Sequence, residues 1–139
     1  MSEAPRRPLP SPPQESQAFW AAARGHRLSI QHCNACGQAW SPPSQLCTHC
    51  LSADSKWIDA AGRGTIFSFV VVHRVYHPWF ANKVPYAVAV VELEEGPRLL
   101  TNITGVDPAA LRCGMSVTVT FEDVSADLSI PKFTATPSA

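Results

Sequence analysis

The chain has 139 residues, 45% hydrophobic and 16% charged, with eleven basic side chains against eleven acidic ones. This balance excludes a solvated, disordered polymer, and it excludes the broad positive field that gathers phosphate backbones or anionic lipid. The length fits one ordinary domain, or a small core plus a metal-held appendage that apolar burial alone would not fold.

Residues 1–13 are rich in proline and read as a flexible arm. They hold no apolar stretch of the kind a secretory signal needs, and no later apolar run reaches the length of a membrane span. A cytoplasmic setting is therefore expected. The next segment, "QESQAFWAAARGH" (Gln14–His26), combines helix formers with Phe19, Trp20, Ala22 and Ala23 at helical spacing and Gly25 at the expected stop, so an N-terminal helical unit is predicted over 14–28. Its aromatics, Phe19 and Trp20, dock either on this chain's own core or on a partner.

"RLSIQHC" (Arg27–Cys33) reads as a short strand running into "CNACGQAWSPPSQLCTHC", where four of the five cysteines fall into two Cys-x-x-Cys pairs. Cys33, Cys36, Cys47 and Cys50 so spaced can all reach one tetrahedral ion at about 2.3 Å. A redox pair would sit beside a strand-to-helix turn with a thioredoxin-like pattern downstream, which is missing here. With four sulfurs the ion keeps no open position for water or substrate, so the expected cofactor is a structural Zn2+ and the motif is a clamp. His32 and His49 adjoin ligands but are expected outside the ligand set. With "SKWIDA" (Ser55–Ala60) as a closing strand, the segment 29–61 reads as a zinc ribbon.

From Gly62 the chain turns to β-branched and aromatic runs broken by Gly and Pro. Strands are predicted at Gly64–His77, Tyr86–Gly96, Pro97–Thr104 and Ser116–Val124, with a last one at Leu128–Thr136 placed at an edge because Pro131 cannot donate to a ladder. A short helix is expected at Asp107–Gly114, with Asp107 as cap and Pro108 at its first position. Three strands, a small helix and two strands match a five-stranded OB barrel over 62–136 better than a sandwich fragment. The fold class is thus mainly β: N-terminal helix, rubredoxin-like ribbon, OB-fold barrel.

Outside the ribbon little points to a catalyst. Cys113 lies beside Arg112 at the expected helix end and is expected to be a small buried residue, while Glu92, Glu94 and Glu95 read as a solvated strand end. His73 and His77 lie on the same face of the long strand because their spacing is even, either as a polar corner beside a pocket or at the solvent-facing mouth of the barrel. The loop "HPWFANKVPY" joins Trp79, Phe80 and Tyr86 to Lys83, on the connection next to the customary OB binding face. Such a set suits a base and a phosphate, in single-stranded nucleic acid or in the adenosine diphosphate of coenzyme A, and it equally suits a protein interface.

The ordered set "FWAAARGHRL", "CNACG…CTHC", "GRGTIFSFVVVHR", "PYAVAVVELEEGPRLLTNITG" and "GMSVTVTFEDV" resembles the acyl-CoA-associated family with a rubredoxin-like zinc ribbon and an OB-fold, over roughly Ser16 to Phe133. The resemblance implies a small non-catalytic partner of thiolase-fold enzymes, either thiolases or sterol-carrier-type aldolases, in a heteromeric complex that handles a CoA thioester. It carries over Cys33, Cys36, Cys47 and Cys50 as zinc ligands and no catalytic residue. A single-strand nucleic-acid binder would need more cations than Arg74, Lys83 and Arg98, and a stand-alone CoA-thioester hydrolase would have to rely on His73 or His77.

Overall fold

The computed structural model describes residues 4–137, so the first three residues of the expected arm lie outside the described residues. Residues 4–13 have no regular secondary structure. A 3-10 turn at Gln14–Ser16 leads into helix α1 (Gln17–Arg24), which buries Ala22 and Ala23 and packs Phe19 against the barrel core. The helix ends at Arg24 with Gly25 as its C-cap, where the glycine was expected to stop it. Gly25 keeps φ −90°, and His26 takes the left-handed conformation at φ 57°, with Arg27 N–H donating to Ala22 O and His26 N–H to Ala23 O. This is a Schellman closure with histidine where glycine is usual. Tertiary contacts hold it there: the His26 ring stacks on Phe121 at 5.0 Å, and its Nε2 lies 2.8 Å from Asp123.

Strands β1 (Ser29–Cys33), β2 (Ala39–Trp40) and β3 (Ser55–Asp59) form a small antiparallel sheet in the order β2-β1-β3. Its own core is little more than Trp40, Cys33 and Cys47. At its root Leu28 and Ile30 leave that cluster and join the barrel core, so ribbon and barrel share a seam.

The barrel consists of β4 (Arg63–Val72), β5 (Tyr86–Leu93), β6 (Arg98–Ile103), β7 (Ser116–Ser125) and β8 (Leu128–Ala135), closed in the order β4-β5-β6-β8-β7. Along β5 the alternation is complete, with Ala87, Ala89, Val91 and Leu93 inside. These meet Ile66, Ile103, Val117 and Phe133, each burial of a large side chain contributing about 1.5–3 kcal/mol. Gly64 marks a close approach of β4 to β5, since a Cβ there would stand 2.3 Å from the Glu92 carbonyl oxygen. A bulge between Ile66 and Ser68 turns Phe67 outward, where Arg98 lies 3.8 Å over its ring.

Four expectations are corrected. The long strand stops at Val72, opposite Tyr86, so His73 and His77 lie in the β4–β5 loop and not on one strand face. β-branched residues and even spacing ran on past the point where the ladder had no further partner. The short helix between the third and fourth barrel strands is a single 3-10 turn, Pro108–Ala110, capped as expected by Asp107 accepting from Ala109 N–H at 2.9 Å. Leu111 turns extended and is buried in the core, which leaves Cys113 exposed, not buried. Finally, β8 is no edge: it pairs along β7 and closes the barrel through one parallel bridge, Ile103↔Phe133. The effect of Pro131 is still visible, because its backbone faces the thinly paired β6 side, where its carbonyl accepts from Thr101 Oγ1 at 3.3 Å.

Candidate metal centre and binding cavity

Each half of the cysteine site is a turn that begins on one cysteine and returns its chain to the same place. Gly37 N–H donates to Cys33 O and Leu51 N–H to Cys47 O, with Gly37 at φ 77° and Leu51 at φ 65°. Inside each turn a backbone N–H points at sulfur, Cys36 N–H to Cys33 Sγ at 3.4 Å and His49 N–H to Cys47 Sγ at 3.3 Å. The four Sγ atoms lie within 4.8 Å of one another, with Cys33–Cys50 at 3.6 Å and Cys36–Cys47 at 3.7 Å. Tetrahedral coordination at about 2.3 Å requires sulfurs about 3.8 Å apart, which these separations approach.

The electrostatics agree with the geometry. The Cys36 amide holds the Cys33 thiol down at about 7, against the loss of water that pushes it up. Cys50 is pushed up to about 12: the Ser52 amide favours its thiolate, but the neighbouring Cys33 sulfur and desolvation outweigh that donor. Four thiolates cannot share this space without a dication, and a dication reverses the balance by deprotonating its ligands. The set is a structural zinc site. Cys33 and Cys47 are buried, and Cys36 and Cys50 close the outer side. Neither histidine belongs to the cluster: His49 is exposed, and His32 is half-buried with an Nδ1 that finds no partner among the described residues.

The second feature is a cavity of about 470 Å³ where the β4–β5 loop meets β6, β7 and β8. The loop brings Trp79, Phe80, Lys83 and Tyr86 together. Trp79 and Phe80 meet edge-to-face at 4.9 Å, Phe80 and Tyr86 lie 5.3 Å apart, and Lys83 Nζ stands 3.8 Å over the Trp79 ring. A 3-10 turn at Pro78–Phe80 holds this shape, and His77 caps it by accepting from Trp79 N–H on Nδ1 at 3.1 Å. His77 is thus tied to the loop backbone, and His73 is exposed.

Four groups of this cavity were not anticipated from the sequence. Arg7, from the proline-rich segment, lies 4.6 Å over Trp79 and pairs with Glu122. Lys132 Nζ reaches the same carboxylate at 2.6 Å, and Asn102 completes the wall. Burial pushes the Glu122 carboxyl up, but hydrogen bonds from Lys132 and Arg7 overcome this and leave it below its ordinary value of 4.5. The partners come from chain positions far apart, which composition cannot bring together; the alternation of β8, with Lys132 between buried Pro131 and Phe133, was the one local hint.

Of the helix aromatics, Phe19 serves the barrel core, while Trp20 borders a crevice of about 300 Å³ with Pro42, Pro43 and Leu100. Leu100 is 72% exposed, Val70 also faces solvent, and Phe67 is half-exposed beneath Arg98, so the outer face of β4–β6 presents apolar side chains to solvent. No helix among the described residues is long and apolar enough to cross a membrane.

Comparison with known proteins bears on the ribbon and the barrel. Residues 20–55 match the family described as ChsH2, rubredoxin-like zinc ribbon domain, and residues 57–122 match ChsH2, C-terminal OB-fold domain. A probable enoyl-CoA hydratase alpha subunit of Thermomonospora curvata is 39% identical over 127 residues, which is 91% of this chain and 39% of that one. This chain therefore spans about two fifths of the length of that relative. A DUF35 domain-containing scaffold protein of Methanocaldococcus jannaschii is 31% identical over 96 residues, 68% of this chain and 67% of that one. Among solved structures, a chain of the Ltp2-ChsH2(DUF35) aldolase superposes with TM-score 0.82 at 38% identity, covering 91% of this chain and 98% of that one.

Proposed function

The chain belongs to the ChsH2 (DUF35) family of zinc-ribbon and OB-fold proteins, and we propose that it is a non-catalytic accessory subunit that docks on a thiolase-fold acyl-CoA enzyme and supports its handling of a CoA thioester. The observation that carries this reading is the near-complete superposition on one chain of an aldolase named for two components. Two features of the molecule support it. A zinc ion held by Cys33, Cys36, Cys47 and Cys50 would have all four positions filled by sulfur and no site for chemistry, and the outer face of β4–β6, with Phe67, Val70 and Leu100, offers apolar surface of the kind that a partner covers.

In this account zinc fixes the ribbon, the ribbon root fixes the barrel orientation, and the β4–β5 loop with Trp79 and Phe80 sits at the mouth of the partner's active site, where it excludes water or orders a partner loop. Co-expression with a thiolase-fold enzyme from the same cells tests the reading. The complex should form and the enzyme should gain activity, whereas Trp79→Ala with Phe80→Ala should reduce that gain. Unchanged assembly and activity in the double variant would remove the loop from the mechanism.

A second reading replaces the thiolase-fold partner with a hydratase. Its support is the name of the Thermomonospora curvata relative, of which this chain matches only a part. Complex formation with a hydratase subunit and not with a thiolase-fold enzyme would favour it.

A further inference from the structure

We infer that the cavity between the proline-rich segment and the β4–β5 loop binds an adenosine diphosphate group, with Tyr86 and Phe80 against the base, Asn102 on its amino edge, and Lys83, Arg7 and Lys132 around the diphosphate. This deepens the proposed function, and it rests on that reading only in that a CoA thioester carries such a group; the site itself stands on its own geometry.

The volume, about 470 Å³, falls within the range of small-ligand sites. The wall is apolar on one side and cationic on the other. Three cations, Arg7, Lys83 and Lys132, face a single carboxylate, Glu122, so the lining keeps a positive excess. Glu122 is ionised at neutral pH because its carboxyl is held low by two of those cations. Lys83 pairs with no carboxylate among the described residues: its Nζ donates to Trp79 O at 3.3 Å and Asn82 Oδ1 at 3.2 Å, both neutral acceptors, and lies over the Trp79 ring, so its full charge faces the cavity. Arg7 and Lys132 grip Glu122 from the same cavity and retain donors for phosphate oxygens.

The division of labour among the aromatics follows from what already covers them. Trp79 carries both Lys83 and Arg7 over its ring, so it serves as the platform that positions the two cations. Tyr86 and Phe80 carry no cation from the described residues and offer the stacking surface. Asn102 spends one amide proton on Ala87 O at 2.9 Å, and its Oδ1 accepts no hydrogen bond from the described residues. A carboxamide so placed pairs with the amino edge of adenine. The proline-rich segment is therefore a wall of the site, since Arg7 and Pro8 line the cavity beside the loop.

Calorimetric titration of the zinc-loaded chain, without partner, tests this with four probes: ADP, coenzyme A, inorganic pyrophosphate and a thymidine oligomer. ADP and coenzyme A should bind with Kd below about 1 mM, and Lys83→Met and Arg7→Met should each weaken both about tenfold. Tyr86→Leu should weaken ADP and coenzyme A while leaving the response to pyrophosphate unchanged. Lys56→Met, on the exposed face of β3, should change nothing. All variants must keep their zinc and thermal midpoint, which separates loss of binding from loss of fold. Tighter binding of coenzyme A than of ADP assigns the group to a CoA thioester, and the reverse order assigns a free nucleotide; both support the site. Pyrophosphate binding as well as ADP, the oligomer binding more tightly than either nucleotide, or no heat with ADP and coenzyme A at about 5 mM overturns it. Failure here with a thiolase-fold enzyme still co-purifying would leave the accessory role standing, and binding here with no partner recovered would do the opposite.

Discussion

Replacing Cys47 by serine removes one of four sulfurs from a cluster whose members lie within 4.8 Å of one another. Structural zinc binding in small ribbons is worth about 10–16 kcal/mol, so an equal share per ligand is about 2.5–4 kcal/mol. Zinc affinity should therefore fall about 10²- to 10³-fold. The damage should stay local. The ribbon's own core is Trp40 with Cys33 and Cys47, whereas the barrel closes on Ile66, Val91, Val117 and Phe133, to which the ribbon adds Leu28 and Ile30 at its root, with Ala39, Ile58 and Ala60 partly buried against the same core. Competition against a chromophoric chelator gives the affinity, and hydrogen exchange resolved along the chain gives the extent of unfolding. Residues 33–54 should lose protection in the variant, and β5 and β7 should keep it. A zinc affinity within tenfold of the parent, or simultaneous loss of protection in the barrel, would refute the claim that these sulfurs clamp a segment that cannot hold itself.

Gly64→Ala should destabilise the barrel by about 3 kcal/mol, seen as a lower urea midpoint, because the new Cβ would stand 2.3 Å from the Glu92 carbonyl oxygen and neither strand can yield cheaply. Leu51→Gly should stabilise the ribbon by about 0.5–1 kcal/mol: the residue holds φ 65° and is 72% exposed, so strain is relieved with little packing lost, and the thermal midpoint of the zinc-loaded chain should rise. Glu122 has a folded pKa below its ordinary 4.5, so its contribution to stability is present above that value and is lost as pH falls through the folded pKa. Denaturation midpoints of Glu122→Gln should accordingly vary less than the parent's between about pH 5 and pH 3, with the remainder of the acid response carried partly by Asp123, lowered by Ser129 and His26.

The sequence was most informative where one local rule governs. Cysteine spacing alone located the four-sulfur cluster, since two Cys-x-x-Cys turns are a local geometry repeated twice. The apolar run of Tyr86–Gly96 located β5, which ends three residues earlier at Leu93. It failed where the outcome depends on distant groups. Nothing near Val72 says that the ladder ends there, because its limit is set by the return of the chain at Tyr86. The left-handed His26 beyond the Gly25 cap is held by Phe121 and Asp123, almost a hundred residues away, so no local pattern announces it. The aromatic and lysine half of the cavity was legible in one loop, while Arg7, Glu122 and Lys132 were not, because an ion pair between a proline-rich segment and the last barrel strands leaves no local signature.

The accessory role is tested most directly by purifying the tagged chain from its native cells and weighing the intact complex in native mass spectrometry. The account requires a thiolase-fold protein in fixed stoichiometry with this chain, one zinc ion per copy of the chain, and acyl-CoA turnover that falls when the chain is removed and returns when it is added back. Recovery of the chain alone, with turnover of its own or with bound nucleic acid in place of an enzyme, would contradict it.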